Sequence, residues 1–203
     1  METIYYIGGG TCCGKSTIAE LLSEKYGFPY YKLDDDLWRF TELVAANGNS
    51  YAAATLAGSL EDMWMRDPVE MCADELAFYA DMFPFAREAL AAHTGDRPLI
   101  TEGAGWLPSL MHTAGIPKNR YFCMAPTRAF QLEKYAQRPW IKNFIEDTSD
   151  PEQAFSNWME RDVLFSEQVM TDAVKRGYAT LLVDGSSSIE ETMRMVEQAF
   201  GLR

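Results

Sequence analysis

The sequence predicts an α/β fold in which helices cover both faces of a parallel sheet. Five apolar runs have the length of strands, and helix start signals occur between them along the chain. A glycine-rich segment joins the first of these runs to the first predicted helix. Because parallel strands must be joined by a crossover, usually a helix, this alternation favours one sheet between two helical layers.

The predicted elements can be followed in order along the chain. Short runs rich in β-branched and aromatic residues, each followed closely by Gly, Pro or Asp, predict strands at 3–7, 28–33, 97–102, 120–124 and 179–183. Apolar periodicity and capping residues predict helices at 15–26, at 68–93, from 127 onward, at 151–175 and at 188–200. The segment 45–66 has two interpretations, a flexible substrate-side insertion or an irregular helix. No linker divides the sequence, so we predict one domain over 1–203.

Composition and charge limit the class of function. With 203 residues, of which 47% are hydrophobic, the chain can bury one substantial core. Its net charge of -12 would repel nucleic-acid phosphates, so we expect no nucleic-acid partner. The first residues lack the basic and apolar regions of a secretory signal, and no apolar run approaches the ~18 residues that span a bilayer. We therefore expect a cytoplasmic protein without a membrane partner, either a monomer or a homodimer.

A complete GxxxxGKS motif lies between the first predicted strand and the first predicted helix. It comprises Gly9, Gly10, Thr11, Cys12, Cys13, Gly14, Lys15 and Ser16, and Thr17 follows it. Glycines allow backbone N–H groups to turn towards a phosphate, and the helix N-terminus adds a partial positive charge. Lys15 can reach the β- and γ-phosphates, and the Ser16 hydroxyl can ligate Mg²⁺. In this context the motif predicts a P-loop that binds ATP with Mg²⁺.

Two cysteines occupy unusual positions inside the motif. The four cysteines of the chain have neither zinc-site spacing nor the density of a disulfide framework, which indicates reduced thiols. Cys12 and Cys13 precede a helix, and a helix N-terminus can lower the pKa of a thiol and make it reactive. The simpler interpretation is that small side chains are tolerated where the backbone binds the ligand.

Three consecutive acids follow the second predicted strand. Asp34, Asp35 and Asp36 lie where the carboxyl end of that strand should face the phosphate loop. A carboxylate there can accept the proton of an acceptor hydroxyl or hold Mg²⁺ through water. The alternative is an acidic cluster at the start of the next helix. If the chain stays extended here, Asp35 points away from the face that Asp34 and Asp36 share.

Two segments, together with the P-loop, carry a resemblance that extends over nearly the whole chain. Asp34-x-Asp36-x-x-Arg39 follows the second predicted strand, and Ile-Thr-Glu-Gly at 100–103 ends the third. The chain thereby resembles the P-loop small-molecule kinases, the group of nucleoside monophosphate, shikimate and gluconate kinases, chloramphenicol phosphotransferase and zeta toxins. The resemblance implies a P-loop NTPase three-layer α/β/α sandwich, a five-stranded parallel sheet of order 2-3-1-4-5, and a helical lid at about 126–165.

The resemblance also implies roles for individual residues. Asp36 matches the base, Arg39 the substrate-side arginine, and Glu102 an acid that assists Mg²⁺ or the acceptor. With the motif, the candidate catalytic residues are Lys15, Asp34, Asp36 and Arg138; the candidate substrate-binding residues are Asp35, Arg39, Glu102, Gly103 and Arg161; and the candidate metal ligands are Ser16, Asp34 and Glu102.

The candidate lid and nucleotide-loop residues lie in the second half of the chain. Arg128 and Arg138 occupy the region where such kinases have lid arginines, and Arg161 is a further candidate. The compact two-arginine spacing of adenylate kinases is absent, so each arginine has the alternative of being a solvated helix residue. Asp184 and Gly185 follow the last predicted strand and match the adenine-side loop of these kinases.

The sequence therefore predicts an ATP-dependent kinase that transfers the γ-phosphoryl group to a small-molecule acceptor, which it does not name. One alternative is a nucleotide-binding ATPase or switch module. A GTPase switch is disfavoured because the chain lacks an Asn-Lys-x-Asp guanine motif. Another alternative is a toxin-like or antibiotic-modifying phosphotransferase.

Overall fold

Five parallel strands form a single sheet at the centre of the molecule. The computed structural model describes residues 3–202, and their strands are β1 (Ile4–Gly9), β2 (Tyr30–Lys32), β3 (Leu99–Glu102), β4 (Tyr121–Pro126) and β5 (Ala179–Val183). The spatial order is β2-β3-β1-β4-β5, and every neighbouring pair is parallel. The predicted P-loop NTPase fold, a three-layer α/β/α sandwich with strand order 2-3-1-4-5, is confirmed.

Helices connect the strands and form the two outer layers. In the described part of the chain they are α1 (Lys15–Tyr26), α2 (Leu37–Ala46), α3 (Ser50–Ala57), α4 (Leu60–Trp64), α5 (Pro68–Ala91), α6 (Pro108–Thr113), α7 (Arg128–Ala136), α8 (Pro151–Arg176) and α9 (Ile189–Phe200). The predicted helices are confirmed, with ends that differ by no more than two residues. None of the helices in residues 3–202 has both the length and the apolar character that a membrane crossing requires.

Capping residues explain where two of the long helices begin. At the start of α5 the Asp67 carboxylate accepts hydrogen bonds from the backbone N–H groups of Val69 and Glu70. Pro68 occupies the first helical position, where its fixed φ suits the helix and its missing N–H costs nothing. Ser188 begins α9 with a reciprocal capping box. Both starts follow from local sequence alone.

Alternate side chains of β1 reach opposite faces of the sheet, and a helical layer covers each face. Tyr5 and Ile7 pack with apolar residues of α1 and α9, among them Ile18, Leu22, Val196 and Phe200. Tyr6 points to a second core that includes residues of α2, α5 and α8, among them Phe40, Met82, Phe165 and Val169. Because every neighbouring pair of strands is parallel, the carboxyl ends of the strands lie at one edge of the sheet, where such folds bind ligands.

The segment 45–66 consists of short helices. Asn49 caps α3 by accepting a 2.9 Å hydrogen bond from the backbone of Ala52, and Ser59 caps α4 by accepting one of 3.1 Å from Asp62. The segment is fixed to the rest of the molecule through Trp64, which is buried. Of the two interpretations drawn from the sequence, the structure supports the irregular helix.

The chain leaves the extended conformation one residue earlier than the sequence predicted. Strand β2 ends at Lys32, and Leu33–Asp36 forms a 3₁₀ turn that leads into α2. Short acidic side chains favour helix N-termini, because they interact with unpaired N–H groups and with the positive end of the helix dipole. The chain is not extended at Asp34–Asp36, so the condition for alternating side chains is not met, and the structure supports the alternative of an acidic cluster at the start of the next helix.

Candidate active site

The phosphate loop is packed tightly against strand β4. Gly9 has a φ of +117°, and a Cβ added there would lie 1.9 Å from the carbonyl oxygen of Met124. The backbone N–H of Gly10 donates a 2.9 Å hydrogen bond to the same oxygen. Glycine is therefore required at position 9 by the loop conformation and by the approach of β4, in addition to any contact with a phosphate.

Lys15 is the first residue of α1 and is largely buried within the loop. Its ammonium group donates a hydrogen bond to the carbonyl of Gly10. Burial disfavours the charged form, but the neighbouring Cys13 thiol and the carboxylates of Glu102 and Asp34 outweigh it and raise the pKa of Lys15. The side chain is therefore a fixed cation at the centre of the loop.

Glu102 lies at the carboxyl end of β3, beside the start of α1. Only 1% of its surface is exposed, and its Oε1 accepts hydrogen bonds of 3.0 Å from both the Ser16 hydroxyl and the Tyr30 hydroxyl. Burial raises the pKa of Glu102, while Lys15 acts in the opposite direction. Three elements, β2, β3 and α1, thus bring hydroxyl and carboxylate oxygens together next to the loop cation.

These oxygen donors fit the chemistry of Mg²⁺. Magnesium prefers oxygen ligands and keeps several waters, so it needs only one or two protein groups together with the phosphates of a nucleotide. Ser16 and Glu102 supply a hydroxyl and a carboxylate at one place. A cage of three or more His, Cys, Asp or Glu side chains does not occur among residues 3–202, and this type of site does not require one.

The three consecutive acids have different surroundings. The charge of Asp34 contributes to the raised pKa of Lys15 and to that of Glu102. In each case burial and a closer neighbour have the larger effects. Asp36 instead accepts a 2.7 Å hydrogen bond from the Tyr31 hydroxyl and forms a 3.4 Å ion pair with Arg39. Asp34 and Asp35 are both exposed. The 3₁₀ turn ties Asp36 to Tyr31 and Arg39.

A cavity of about 500 Å³ lies over the phosphate loop. One side is formed by the loop from Cys12 to Thr17, and the other by Lys134, Gln137 and Arg138 at the end of α7. The Arg138 guanidinium lies 5.2 Å from the ring centre of Tyr135 and 5.7 Å from that of Trp140. The cavity thus brings together cations from α1 and from the end of α7, as a polyphosphate site requires.

A smaller cavity of about 230 Å³ adjoins the same loop. Its lining is largely apolar and includes Phe130, Val183 and Ile189, together with Gly185. An adenine ring needs a pocket of this kind beside the phosphates. Asp184 itself is exposed, and its carboxylate accepts hydrogen bonds from the backbone and hydroxyl of Ser186, which fixes the turn before α9.

Two of the candidate arginines lie outside both cavities. Arg128 is exposed and pairs with Glu160 on α8. Arg161 is buried in α8, where its guanidinium pairs with Asp162 at 2.7 Å and Glu75 at 3.1 Å. Of Arg128, Arg138 and Arg161, Arg138 alone lines the cavity over the loop. The lid and substrate roles of the other two stay predictions that this geometry does not support.

The two loop cysteines are in environments that oppose ionisation. The Cys13 thiol is buried and donates hydrogen bonds to the carbonyls of Gly10 and Met124. Burial raises the pKa of both Cys12 and Cys13. Cys12 has a φ of +60° and is the only non-glycine with a left-handed backbone among residues 3–202. The simpler interpretation, that small side chains are tolerated here, agrees with this geometry.

Several residues near the site were not found from the sequence. Tyr30 contacts Glu102, Lys134 and Phe130 line the two cavities, and Tyr135 and Asp162 contact the loop through Thr11. Phe130 and Lys134 are four residues apart and therefore lie on one side of α7, a spacing that could have identified that side. The position of Asp162 depends on how α8 packs, and no local pattern indicates it.

In comparisons with known proteins, the chain is similar to solved structures only. No family model matches the chain, and no curated protein matches it. A Thermus thermophilus protein is 17% identical, with 98% of this chain and 97% of that one covered and a TM-score of 0.49. Shikimate kinase from Aquifex aeolicus is 15% identical, with 98% and 96% covered and a TM-score of 0.40. A gluconokinase from Sinorhizobium meliloti is 14% identical, with 98% and 91% covered and a TM-score of 0.47. The activities in these names belong to those proteins.

Proposed function

We propose that this protein is a kinase that transfers the γ-phosphoryl group of Mg-ATP to a hydroxyl group of a small-molecule acceptor. One observation carries the proposal. Lys15 and the Ser16–Glu102 hydrogen bond lie together at the carboxyl edge of the sheet, where Lys15 and Ser16 line the same cavity as Arg138, and Asp34 follows the neighbouring strand β2. A loop cation, oxygen donors suited to Mg²⁺ and a carboxylate are the groups that phosphoryl transfer needs in one place.

The nucleotide is bound by the loop and by the end of α7. Backbone N–H groups of Gly9–Ser16 and the N-terminus of α1 hold the phosphates, and Lys15 compensates the charge of the β- and γ-phosphates. Ser16 and Glu102 would hold Mg²⁺ on the protein side, with Asp34 acting through water, and the ion would neutralise charge on the phosphates. Arg138 stabilises the negative charge of the transferring phosphoryl oxygens from the opposite side. The adenine ring occupies the apolar cavity beside Gly185.

The acceptor is held on the side of Leu33–Asp36. Asp36 accepts the proton of the attacking hydroxyl, with Tyr31 and Arg39 fixing its orientation. Asp35, Gly103 and Glu102 complete the acceptor side as predicted from the sequence. The chemical identity of the acceptor follows from none of these residues, so the test must sample several classes.

The test is ADP release measured against a panel of acceptors, comprising sugars, nucleosides, cell-wall precursors and antibiotics. We expect release that depends on one acceptor class, is lost in Lys15→Ala, and is retained in the matched control Lys175→Ala, an exposed lysine at the end of α8. Turnover unchanged in Lys15→Ala would overturn the assignment. Release that needs Lys15 but no acceptor would identify an ATPase instead.

A further inference from the structure

A buried carboxylate on α8 accepts hydrogen bonds from two hydroxyl groups that belong to separate parts of the molecule. Asp162 is 2% exposed. Its Oδ2 accepts a 3.0 Å hydrogen bond from the Thr11 hydroxyl and a 2.6 Å hydrogen bond from the Tyr135 hydroxyl, and its Oδ1 lies 2.7 Å from Nε of Arg161. Both carboxylate oxygens are therefore engaged, and the negative charge is balanced by a guanidinium next to it.

The guanidinium is itself held in place by other groups. Arg161 also pairs with Glu75 of α5 at 3.1 Å and lies over the Trp64 ring, 5.3 Å from its centre. Arg161 lies between the Glu75 and Asp162 carboxylates and lines neither cavity, so it pairs with acids of the protein and not with a ligand there. Its position places a positive charge beside the buried Asp162, where a lone carboxylate would be costly.

The hydroxyl groups bound to Asp162 belong to the phosphate loop and to α7, the two segments whose neighbouring residues line the phosphate cavity. Thr11 is a residue of the phosphate loop, next to Cys12 with its left-handed backbone. Tyr135 belongs to α7, between residues that line the cavity, and its ring lies under the Arg138 guanidinium. Asp162 and Tyr135 do not line the cavity themselves. Any effect they have on a bound phosphate must pass through Thr11 or Arg138.

We propose that Asp162 is a positioning residue, which fixes the phosphate loop and the end of α7 at the separation that a bound triphosphate requires. The inference rests on the proposed function. Hydrogen bonds to a charged carboxylate are short and strong, so this contact constrains Thr11 and Tyr135 more than neutral bonds would. Groups held in advance by such supporting contacts bind their ligand without a further cost of ordering.

The test compares Mg-ATP affinity with stability in variants that remove one hydroxyl each. Tyr135→Phe keeps the ring in the core and deletes only the hydrogen bond. We expect it to weaken Mg-ATP binding about 5-fold or more, the scale of losing a supporting contact to a binding group. Tyr178→Phe is the matched control, because it also deletes a hydrogen bond from a buried tyrosine, here to the carbonyl of Ile116. Isothermal titration calorimetry gives the affinity, and urea unfolding gives the stability.

A double-variant cycle separates positioning from a purely structural role. In an Asp162→Ala background, Tyr135→Phe should have no further effect on Mg-ATP affinity, because the hydroxyl has lost its partner. If Tyr135→Phe and Tyr178→Phe lose similar stability but neither changes Mg-ATP affinity, the positioning role is overturned while the proposed function stands. If the unaltered protein binds no Mg-ATP, and Lys15→Ala therefore changes nothing, both are overturned.

Discussion

The hydroxyl of Ser16 donates a 3.0 Å hydrogen bond to the buried carboxylate of Glu102. In the proposed kinase the same two oxygens lie where Mg²⁺ is bound, so the hydrogen bond holds the carboxylate ready for the metal.

Glu102→Gln should therefore raise the Mg²⁺ concentration needed for half-maximal ADP release. The variant keeps the shape of the side chain but removes the charge, and a neutral amide is a weaker partner for a divalent ion than a carboxylate. We expect a shift of about 10-fold, the lower end of the loss seen for groups that support a metal. Tyr30→Phe, which removes only a hydrogen bond to Glu102, should shift it less. Equal Mg²⁺ dependence in Glu102→Gln and the unaltered protein would contradict this role.

Replacing each of the three acids of Leu33–Asp36 by Asn should change a different kinetic parameter. Asp36→Asn should lower kcat by about 10²-fold or more, the scale of losing a general base, with little change in ATP affinity. Asp34→Asn should raise the Mg²⁺ requirement, and added Mg²⁺ should partly rescue it. Asp35→Asn should raise the acceptor KM with kcat retained. If kcat falls most in Asp35→Asn, the base is Asp35, and the 3₁₀ turn presents that residue to the acceptor.

The phosphate loop could be predicted from sequence because its residues are contiguous. A glycine-rich string between an apolar strand and an amphipathic helix specifies its own conformation, and the structure has α1 beginning at Lys15 as expected. The strand order was implied by the resemblance and is confirmed. The 3₁₀ turn at Leu33–Asp36 agrees with the second interpretation of the three acids, a cluster at the start of the next helix, because short acidic residues favour helix starts.

The contacts of α8 could not be predicted, because they join residues that are remote in sequence. Thr11 and Asp162 are separated by 151 positions, and their hydrogen bond depends on how α8 packs against the sheet and α5. An arginine on a predicted helix near a phosphate site looks the same in sequence whether it faces the ligand or pairs with buried acids. Arg161 became a candidate substrate-binding residue for that reason, and only its neighbours Glu75 and Asp162 distinguish the two cases.

Glu75 should give the protein a measurable dependence of stability on pH. Burial raises the pKa of Glu75 to about 6, with Asp162 acting in the same direction and Arg161 against it. The folded protein therefore binds a proton more readily than the unfolded chain does, and protonation of Glu75 stabilises the fold as the pH falls from above 6 towards 4.5. This difference is worth about 2 kcal/mol on the usual scale of 1.4 kcal/mol per pKa unit.

The measurement is the free energy of unfolding of Glu75→Gln and of the unaltered protein across that pH range. Gln cannot titrate, so the variant should lose stability relative to the unaltered protein as the pH falls, by an amount that approaches about 2 kcal/mol. Glu88→Gln, on the exposed side of α5, is the matched control for replacing a carboxylate by an amide on the same helix. If the free energies of unfolding of Glu75→Gln and the unaltered protein differ by the same amount at every pH, Glu75 has the same pKa in the folded and unfolded states.

The phosphate loop should accept a side chain at position 10 only if the Ser166 side chain of α8 is made smaller or moves away. A Cβ added to Gly10 would lie 2.2 Å from the Ser166 hydroxyl and 3.0 Å from a ring carbon of Pro126. The Ser166 hydroxyl is buried and has no hydrogen-bond partner among the described residues. Gly10→Ala should therefore lower the free energy of unfolding by about 1–3 kcal/mol, the usual cost of overpacking. Ser166→Ala alone should cost little, because it removes a polar group that makes no hydrogen bond.

The double variant Gly10→Ala/Ser166→Ala should recover at least half of the stability that Gly10→Ala loses, because the closest clashing atom is gone. Gly95→Ala, where an added Cβ meets nothing within 4 Å, is the control for replacing glycine with alanine in this protein. Urea unfolding of the four variants gives the coupling energy. Additive losses would mean that the loop moves away from α8 instead of clashing with it, and Mg-ATP affinity should then fall in Gly10→Ala whichever residue stands at 166.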